Sequence, residues 1–484
     1  MSEHGSGHLP PPPPPPRGPA PAWPPSPPPW GPAPAAPTPY AVSPAVGSLP
    51  PDTPRPGRSR VIVGVAVAML FTLIAVVVAA LVARDRDGPG ATTPPIPSNL
   101  EIPAAPTSTV TSRGASGASG SSGAAGSNAA PTTTRANTEF DRTVDTIIAF
   151  VEKTRGLKYK TRPVVIALSE QDFLARFQAL TEEDYRKHRV DYDAATVVLS
   201  ALGLLKPGVS YYETTKAFGA AGVLGFYDPE TKELSVRGSA STPFVRTVIA
   251  HELTHALDDQ WFDLDRPQYD GAKDEIGFGF SALAEGNARR VEKVYRASLS
   301  SADRTSADRE EASYSGAFQA NQFTTAFLKL QLAPYSLGEA FVRDLLDLGG
   351  QPALDAAFAA PPTTSEEVID VDKYVAKEGR VAVAPPPADG TVVDDGVVGE
   401  IVIQYLLESV VSTAQATRAA TGWAGDWYVA WSAAGASCLR LAIQMDTAND
   451  TTDLKSAFDK WVASRPKATV TASGKIVTVT SCTQ

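Results

Sequence analysis

The run VIVGVAVAMLFTLIAVVVAALVA, residues 61–83, holds 23 successive uncharged residues, and no other stretch restricts its own conformation so tightly. A helix of that length crosses a hydrocarbon core about 30 Å thick with every backbone group satisfied internally. The sequence therefore predicts one N-terminal transmembrane helix. A cleaved signal peptide is the competing reading. The run is longer than a signal h-region and begins only after 60 residues of tail, which favours an uncleaved signal-anchor. Arg55, Arg58 and Arg60 precede the span, whereas the "RDRD" after it offsets two Arg with two Asp. That bias predicts a cytoplasmic N-terminus, with residues 84–484 extracytoplasmic, at the cell surface.

Both flanks of the span lack the apolar periodicity of a packed core. Of the 43 prolines, 23 fall within residues 1–60, which read as a disordered or polyproline II cytoplasmic tail. Such a tail either docks in an aromatic-lined groove of a cytoplasmic partner or serves as a passive spacer. Residues 84–137, built of Ala, Ser, Thr, Gly and Pro, read as a flexible linker. The net charge of −10 belongs to the outer part, because residues 1–60 carry four Arg against Glu3 and Asp52. No basic cluster remains to hold nucleic acid. The only cysteines, Cys438 and Cys482, lie in the outer part and form either one disulfide or two buried thiols.

Globular patterning starts near residue 138. Phe140, Val144, Ile147, Ile148 and Val151 are spaced for a helix to about residue 155, and "PVVIAL" follows as a short strand. Ser169 and Asp172 mark an N-cap region, with largely helical sequence to about Leu205. "GVLGFYDPETKELSVRG" reads as a hairpin turning at Asp228, Pro229 and Glu230. Thr242 can cap, and Pro243 can open, a helix to about Trp261. Further helices are expected over "GFSALAEGNARRVEKVYRASL", "LGEAFVRDLLDLGG" and "GEIVIQYLLESVVSTAQATRAA". Residues 421–484 read as a small β-β-α-β-β module ending in a hairpin at Ser473 and Gly474. The fold class expected is α+β: a mostly helical domain with a small edge sheet over 138–420, followed by that module.

The segment "VIAHELTHAL", residues 248–257, places two of the chain's five histidines four apart on a helix, where both imidazoles can reach one ion. Glu252 is rotated about 100° from His251, as 3.6 residues per turn requires. From there it can take a proton from water on the metal. His251, Glu252 and His255 are the only ionisable groups in the ten residues, unlike an exposed amphipathic helix. The bland alternative is a pair of core histidines. A catalytic zinc site needs a third protein ligand and an open position. His188 sits in charged "EEDYRKHRVD" and is a poor candidate, whereas Glu285 is the only charge between Ile276 and Ala288. A lone carboxylate there is costly unless a cation meets it, the alternative being a favourable place near a helix N-terminus. Asp259, four residues after His255, either orients an imidazole or is a solvated helix-end carboxylate.

"HELTH" followed by "ALAEGNA" resembles the gluzincin zinc metallopeptidases. The metzincin pattern is absent, since Asp258 and Trp261 stand where it has Gly and His. "GFYDPETKELSVRG", "HELTHALDDQWFDL", "ALAEGNA", "PYSLGEAFV", "PPTTSEEVIDVDKY" and "GWAGDWYVAW" together resemble membrane-anchored or surface gluzincin-like proteins of bacteria and archaea. The resemblance spans about residues 138–484 and implies a zincin-like domain binding one Zn2+ through His251, His255 and Glu285, with Glu252 as general base and acid. It implies a peptide or protein substrate. Two positions depart from it. Asp370 stands where such relatives have His, and Arg289 stands four residues after Glu285, where many gluzincins have an acid. Tyr335 or Tyr374 would then stabilise the transition state, unless both are ordinary packed tyrosines. The expected function is a membrane-anchored extracytoplasmic zinc metallopeptidase; the alternative is a non-catalytic surface binding protein of the same fold.

Overall fold

The computed structural model of the protein describes residues 138–238, 241–270 and 272–483. The Pro-rich tail, the span at 61–83 and the linker to 137 lie outside the described residues. Among the described residues no helix is long and apolar enough to cross a membrane.

The first half is helical around a small sheet. Helix α1 (Glu139–Arg155) starts at Thr138, whose hydroxyl and the Asp141 carboxylate form a reciprocal capping box. Strand β1 (Val164–Leu168) leads into α2 (Glu170–Lys187), capped by Ser169 as its sequence predicts, and α3 (Arg189–Leu202), with His188 at the break between them. Helix α4 (Tyr211–Gly222), for which no sequence signal was read, precedes strands β2 (Gly225–Asp228) and β3 (Glu233–Arg237). The sheet order is β1-β3-β2, with β1 parallel and β2 antiparallel to β3. One apolar core lies between this sheet and helices α1 and α5 (Pro243–Phe262), filled by Val144, Ile147, Val151, Leu234, Val236, Ile249, Leu253 and Leu257.

Past the short α6 (Pro267–Asp270) come α7 (Ile276–Ser298), α8 (Ser301–Ala317) and the long α9 (Thr325–Ala359), which kinks at Gly350. Two short helices, α10 (Ser365–Ile369) and α11 (Val371–Ala376), lead to strand β4 (Thr391–Gly396) and helices α12 (Glu400–Leu407) and α13 (Thr413–Ala420). Strands β5 (Trp423–Ala433) and β6 (Ala436–Met445), helix α14 (Ala448–Ala463) and strands β7 (Ala468–Ser473) and β8 (Ile476–Cys482) complete the expected β-β-α-β-β order. They form a five-stranded antiparallel sheet in the order β4-β5-β6-β8-β7. The sheet thus draws an edge strand, β4, from outside residues 421–484. The α+β class holds. The largest core runs without a break from Leu199, Phe341 and Leu354 in the helices to Trp423, Leu441 and Val479 in the sheet.

Cys438 and Cys482 face each other across β6 and β8 and are joined by a disulfide, which settles the choice between disulfide and thiols. Closing a loop with a sequence separation of 44 contributes about 4 kcal/mol on the chain-entropy account.

Candidate metal centre

Helix α5 carries the two histidines through the middle of the protein. Thr242 Oγ1 accepts from the Val245 amide at 3.2 Å, and Pro243 takes the first helical position, where no amide is needed. From Val248 to Asp259 every residue is buried, so this stretch of the helix has no solvent face. That is why its uncharged flanks show no amphipathic stripe.

Helix α7 crosses α5 and delivers Glu285. His251 Nε2 lies 3.0 Å from His255 Nε2 and 3.2 Å from Glu285 Oε2, and His255 Nε2 lies 3.5 Å from the same oxygen. Donors at three corners of a tetrahedron, each about 2.0–2.1 Å from a zinc ion, stand roughly 3.3 Å apart. The three side chains therefore fit a zinc ion in both donor type and spacing.

Glu252 lies beside this cluster with both carboxylate oxygens buried and without a hydrogen-bond partner. The Tyr227 amide of β2 lies close enough to favour the charged form without closing a hydrogen bond. Burial first, then the negative charges of Glu285 and Glu292, push its carboxyl well above the usual carboxylate range, although His251 acts in the opposite sense. A divalent cation beside it would favour the ionised form. Gly225 makes the approach of β2 possible: a Cβ there would stand 2.8 Å from Val248 Cγ1 and 3.4 Å from Glu252 Cγ.

The remaining nitrogen of His251 is fixed by a residue the sequence reading did not single out. His251 Nδ1 lies 3.0 Å from Glu292 Oε2, and Arg289 Nη1 donates to that oxygen at 2.7 Å. A carboxylate on the second nitrogen fixes tautomer and ring orientation and raises ligand basicity. Burial opposes charge on Glu292, but Arg289 and His251 hold its carboxyl down at about 2. Burial likewise opposes charge on His251, yet Glu285 and Glu292 raise its imidazole to about 9, so the pocket favours a cation at this point. Glu292 lies seven residues after Glu285 and so on the same face of α7. An acid thus meets His251 from one turn beyond position 289, and Arg289 supports it.

Asp259 does not orient an imidazole. Its carboxylate accepts from Tyr227 Oη at 2.6 Å and the Leu264 amide at 2.9 Å, and pairs with Lys232 at 2.8 Å. Those partners draw it toward the β2–β3 hairpin. Nor is it a solvated helix-end carboxylate, being 5% exposed. Its neighbour Asp258 is wholly buried between Arg155 Nε at 2.7 Å and Asn287 Nδ2 at 2.5 Å. Tyr335 of α9 stacks beside His251, with ring centroids 6.3 Å apart. Tyr374 is elsewhere: it donates to the Ala360 carbonyl at 2.8 Å and meets the Phe341 ring edge-on. Asp370 is exposed and caps α11 by accepting from the Asp372 amide.

Two glycines set the depth of the centre. A Cβ on Gly286 would stand 2.1 Å from the Gly338 carbonyl oxygen, and one on Gly338 would stand 1.9 Å from that of Ala282. Helices α7 and α9 thus touch backbone to backbone, which brings Tyr335 over His251. In "AEGN", Glu285 faces the histidines, Gly286 admits α9, and Asn287 ties α7 to Asp258 of α5.

A family described as a domain of unknown function (DUF8575) matches residues 389–482, which cover β4 to β8 and leave out the metal centre. No curated protein and no solved structure matches the chain.

Proposed function

We propose that the protein is a zinc metallopeptidase of gluzincin-like fold, anchored through residues 61–83 with its catalytic part outside the membrane. One observation carries the reading: His251, His255 and Glu285 converge at 3.0–3.5 Å beside a buried, unpartnered Glu252 carboxylate. A zinc ion held by these three residues would activate water and polarise a peptide carbonyl. Glu252 accepts the proton from water and returns it to the departing amine. Glu292, backed by Arg289, holds His251 in the ligating tautomer. Tyr335 is the candidate donor to the developing oxyanion, as it is the tyrosine beside His251. The disulfide supports an oxidising, extracytoplasmic setting.

A second reading, a non-catalytic surface binding protein, draws on one observation. His251, Glu252 and His255 are fully buried, and Glu285 is 2% exposed. Hydrolysis requires that a peptide reach them. The full chain and its Glu252→Gln variant, both loaded with zinc, are to be compared on an unfolded protein substrate. The peptidase reading predicts cleavage by the wild type and at least a hundredfold loss in the variant at equal zinc content, on the order of a general base's contribution. No cleavage by either protein would favour the binding protein, and equal cleavage by both would overturn the role given to Glu252.

A further inference from the structure

His251, Glu252, His255 and Glu285 are closed off from solvent, yet a peptide that is to be hydrolysed needs a way in. The elements around helix α5 are not held in place equally. Helix α1 and the β1-β3-β2 sheet grip it through a core that includes Ile249, Leu253 and Leu257, and α7 shares that core through Val291 and Tyr295. Helix α9 meets α7 backbone to backbone. Helix α8 (Ser301–Ala317) also packs on α5, but its grip is of another kind.

Across residues 301–314 only Ala307 is buried. It packs with Leu224, Phe244 and Val248, with Tyr314 at the edge, in a cluster separate from both large cores. The remaining ties are polar. Asp303 pairs with Arg246 of α5 at 3.2 Å, and Glu310 accepts from the Thr242 hydroxyl at 2.9 Å. Asp308 and Glu311 pair with Arg296 of α7 at 2.5 and 2.6 Å. A helix that buries so little and is fixed by ion pairs near the surface stands at the low end of local stability, from which active-site lids are drawn. The chain is anchored again on either side, by Leu299 against the α1–α5 core and by Phe318 edge-on to Phe218.

What lies beneath α8 gives its position meaning. Val248 precedes Glu252 by one helical turn, so the two share a face of α5, and Gly225 of β2 lies against both. Leu224, also under Ala307, immediately precedes Gly225. Ala307 thus covers the seam between α5 and β2 one turn from the Glu252 carboxylate. We propose that α8 is a lid over the metal centre, closed at rest, which swings off α5 to admit an extended segment of a protein substrate to Glu252. Opening it breaks one small apolar cluster and a few polar ties, whereas moving α1, α7 or α9 would breach a large core. The purpose of the lid rests on the metallopeptidase reading, but its motion can be measured without zinc or activity.

The chain's only two cysteines are joined in the disulfide, so an introduced thiol reports on its own site. Maleimide labelling of the full chain is to be followed for Val248→Cys and Ala307→Cys, on the two sides of the contact, with Leu257→Cys in the α1–α5 core as the buried control. Both lid positions should label at least about tenfold faster than the control. Removing two ties with Asp303→Asn and Glu310→Gln should speed them again by about fivefold. In the zinc-loaded chain the same double variant should release zinc to excess chelator and take it up again faster by one common factor, leaving affinity unchanged, which a general loosening of the fold would not do. Labelling at Val248→Cys and Ala307→Cys as slow as at Leu257→Cys, or no faster in the double variant, would overturn the lid. So would faster zinc release with a matching loss of affinity. A chain that labels as expected but binds no zinc would contradict the metallopeptidase reading and leave the motion of α8 established.

Discussion

Glu292→Gln keeps the side-chain volume and an acceptor oxygen but removes the charge shared by His251 at 3.0 Å and Arg289 at 2.7 Å. Two effects follow. The His251 ring loses the charged partner that fixes its tautomer, and the half-buried Arg289 guanidinium loses its closest carboxylate. Loss of such a partner typically weakens metal binding 10- to 100-fold, or about 1.4 to 2.7 kcal/mol. The assay is competition for zinc against a chromophoric chelator at fixed pH. Asp259→Asn is the control, because Asp259 binds Tyr227, Lys232 and the Leu264 amide and no imidazole. It should lower thermal stability and leave zinc affinity unchanged. An affinity in Glu292→Gln within threefold of wild type, or an equal loss in Asp259→Asn, would refute the assignment.

Three other perturbations test the frame around the centre. Gly338→Ala places a Cβ 1.9 Å from the Ala282 carbonyl oxygen and must force α7 and α9 apart. It should cost at least about 3 kcal/mol and weaken zinc binding as well, and an unchanged unfolding temperature would contradict the close crossing. Arg155→Met leaves Asp258 buried without its guanidinium and removes the contacts to Asp355 and Gln351 at 2.6 Å. The expected loss is about 3–5 kcal/mol, read from the urea midpoint, and a change below about 1 kcal/mol would mean the network adds little. Burial raises the Asp394 carboxyl from an ordinary 3.8 to about 7, against the favourable Tyr428 hydroxyl contact. The folded state thus retains a proton that the unfolded chain releases, so this stabilisation is full below about pH 4 and is lost as pH rises through about 7. Asp394→Asn should give a shallower fall in denaturant midpoint over that window, and an unchanged slope would contradict the assignment.

Local signals made α5 and its two histidines legible: Thr242 and Pro243 mark the start, and two of five histidines recur at one helical turn. Glu285 was legible for the opposite reason, as the one charge in an apolar stretch. Glu292 was missed because its partners sit on α5 and one turn back on α7, although its seven-residue spacing from Glu285 was a usable sign. Asp259 misled because proximity along α5 does not say which neighbour across space competes for a carboxylate. Here β2 supplied Tyr227 and the hairpin supplied Lys232. Strand β4 was hidden by Asp394 and Asp395, residues that disfavour strands. Tyr428 and Lys273 stabilise them there, and both lie far away in sequence.

The most direct test of the central claim is anomalous diffraction at the zinc edge from crystals of the zinc-saturated full chain. The account predicts one strong peak about 2.0–2.1 Å from His251 Nε2, His255 Nε2 and a Glu285 carboxylate oxygen, with Glu252 beside it but not bound. A peak at other residues, or none within reach of these three, would contradict it.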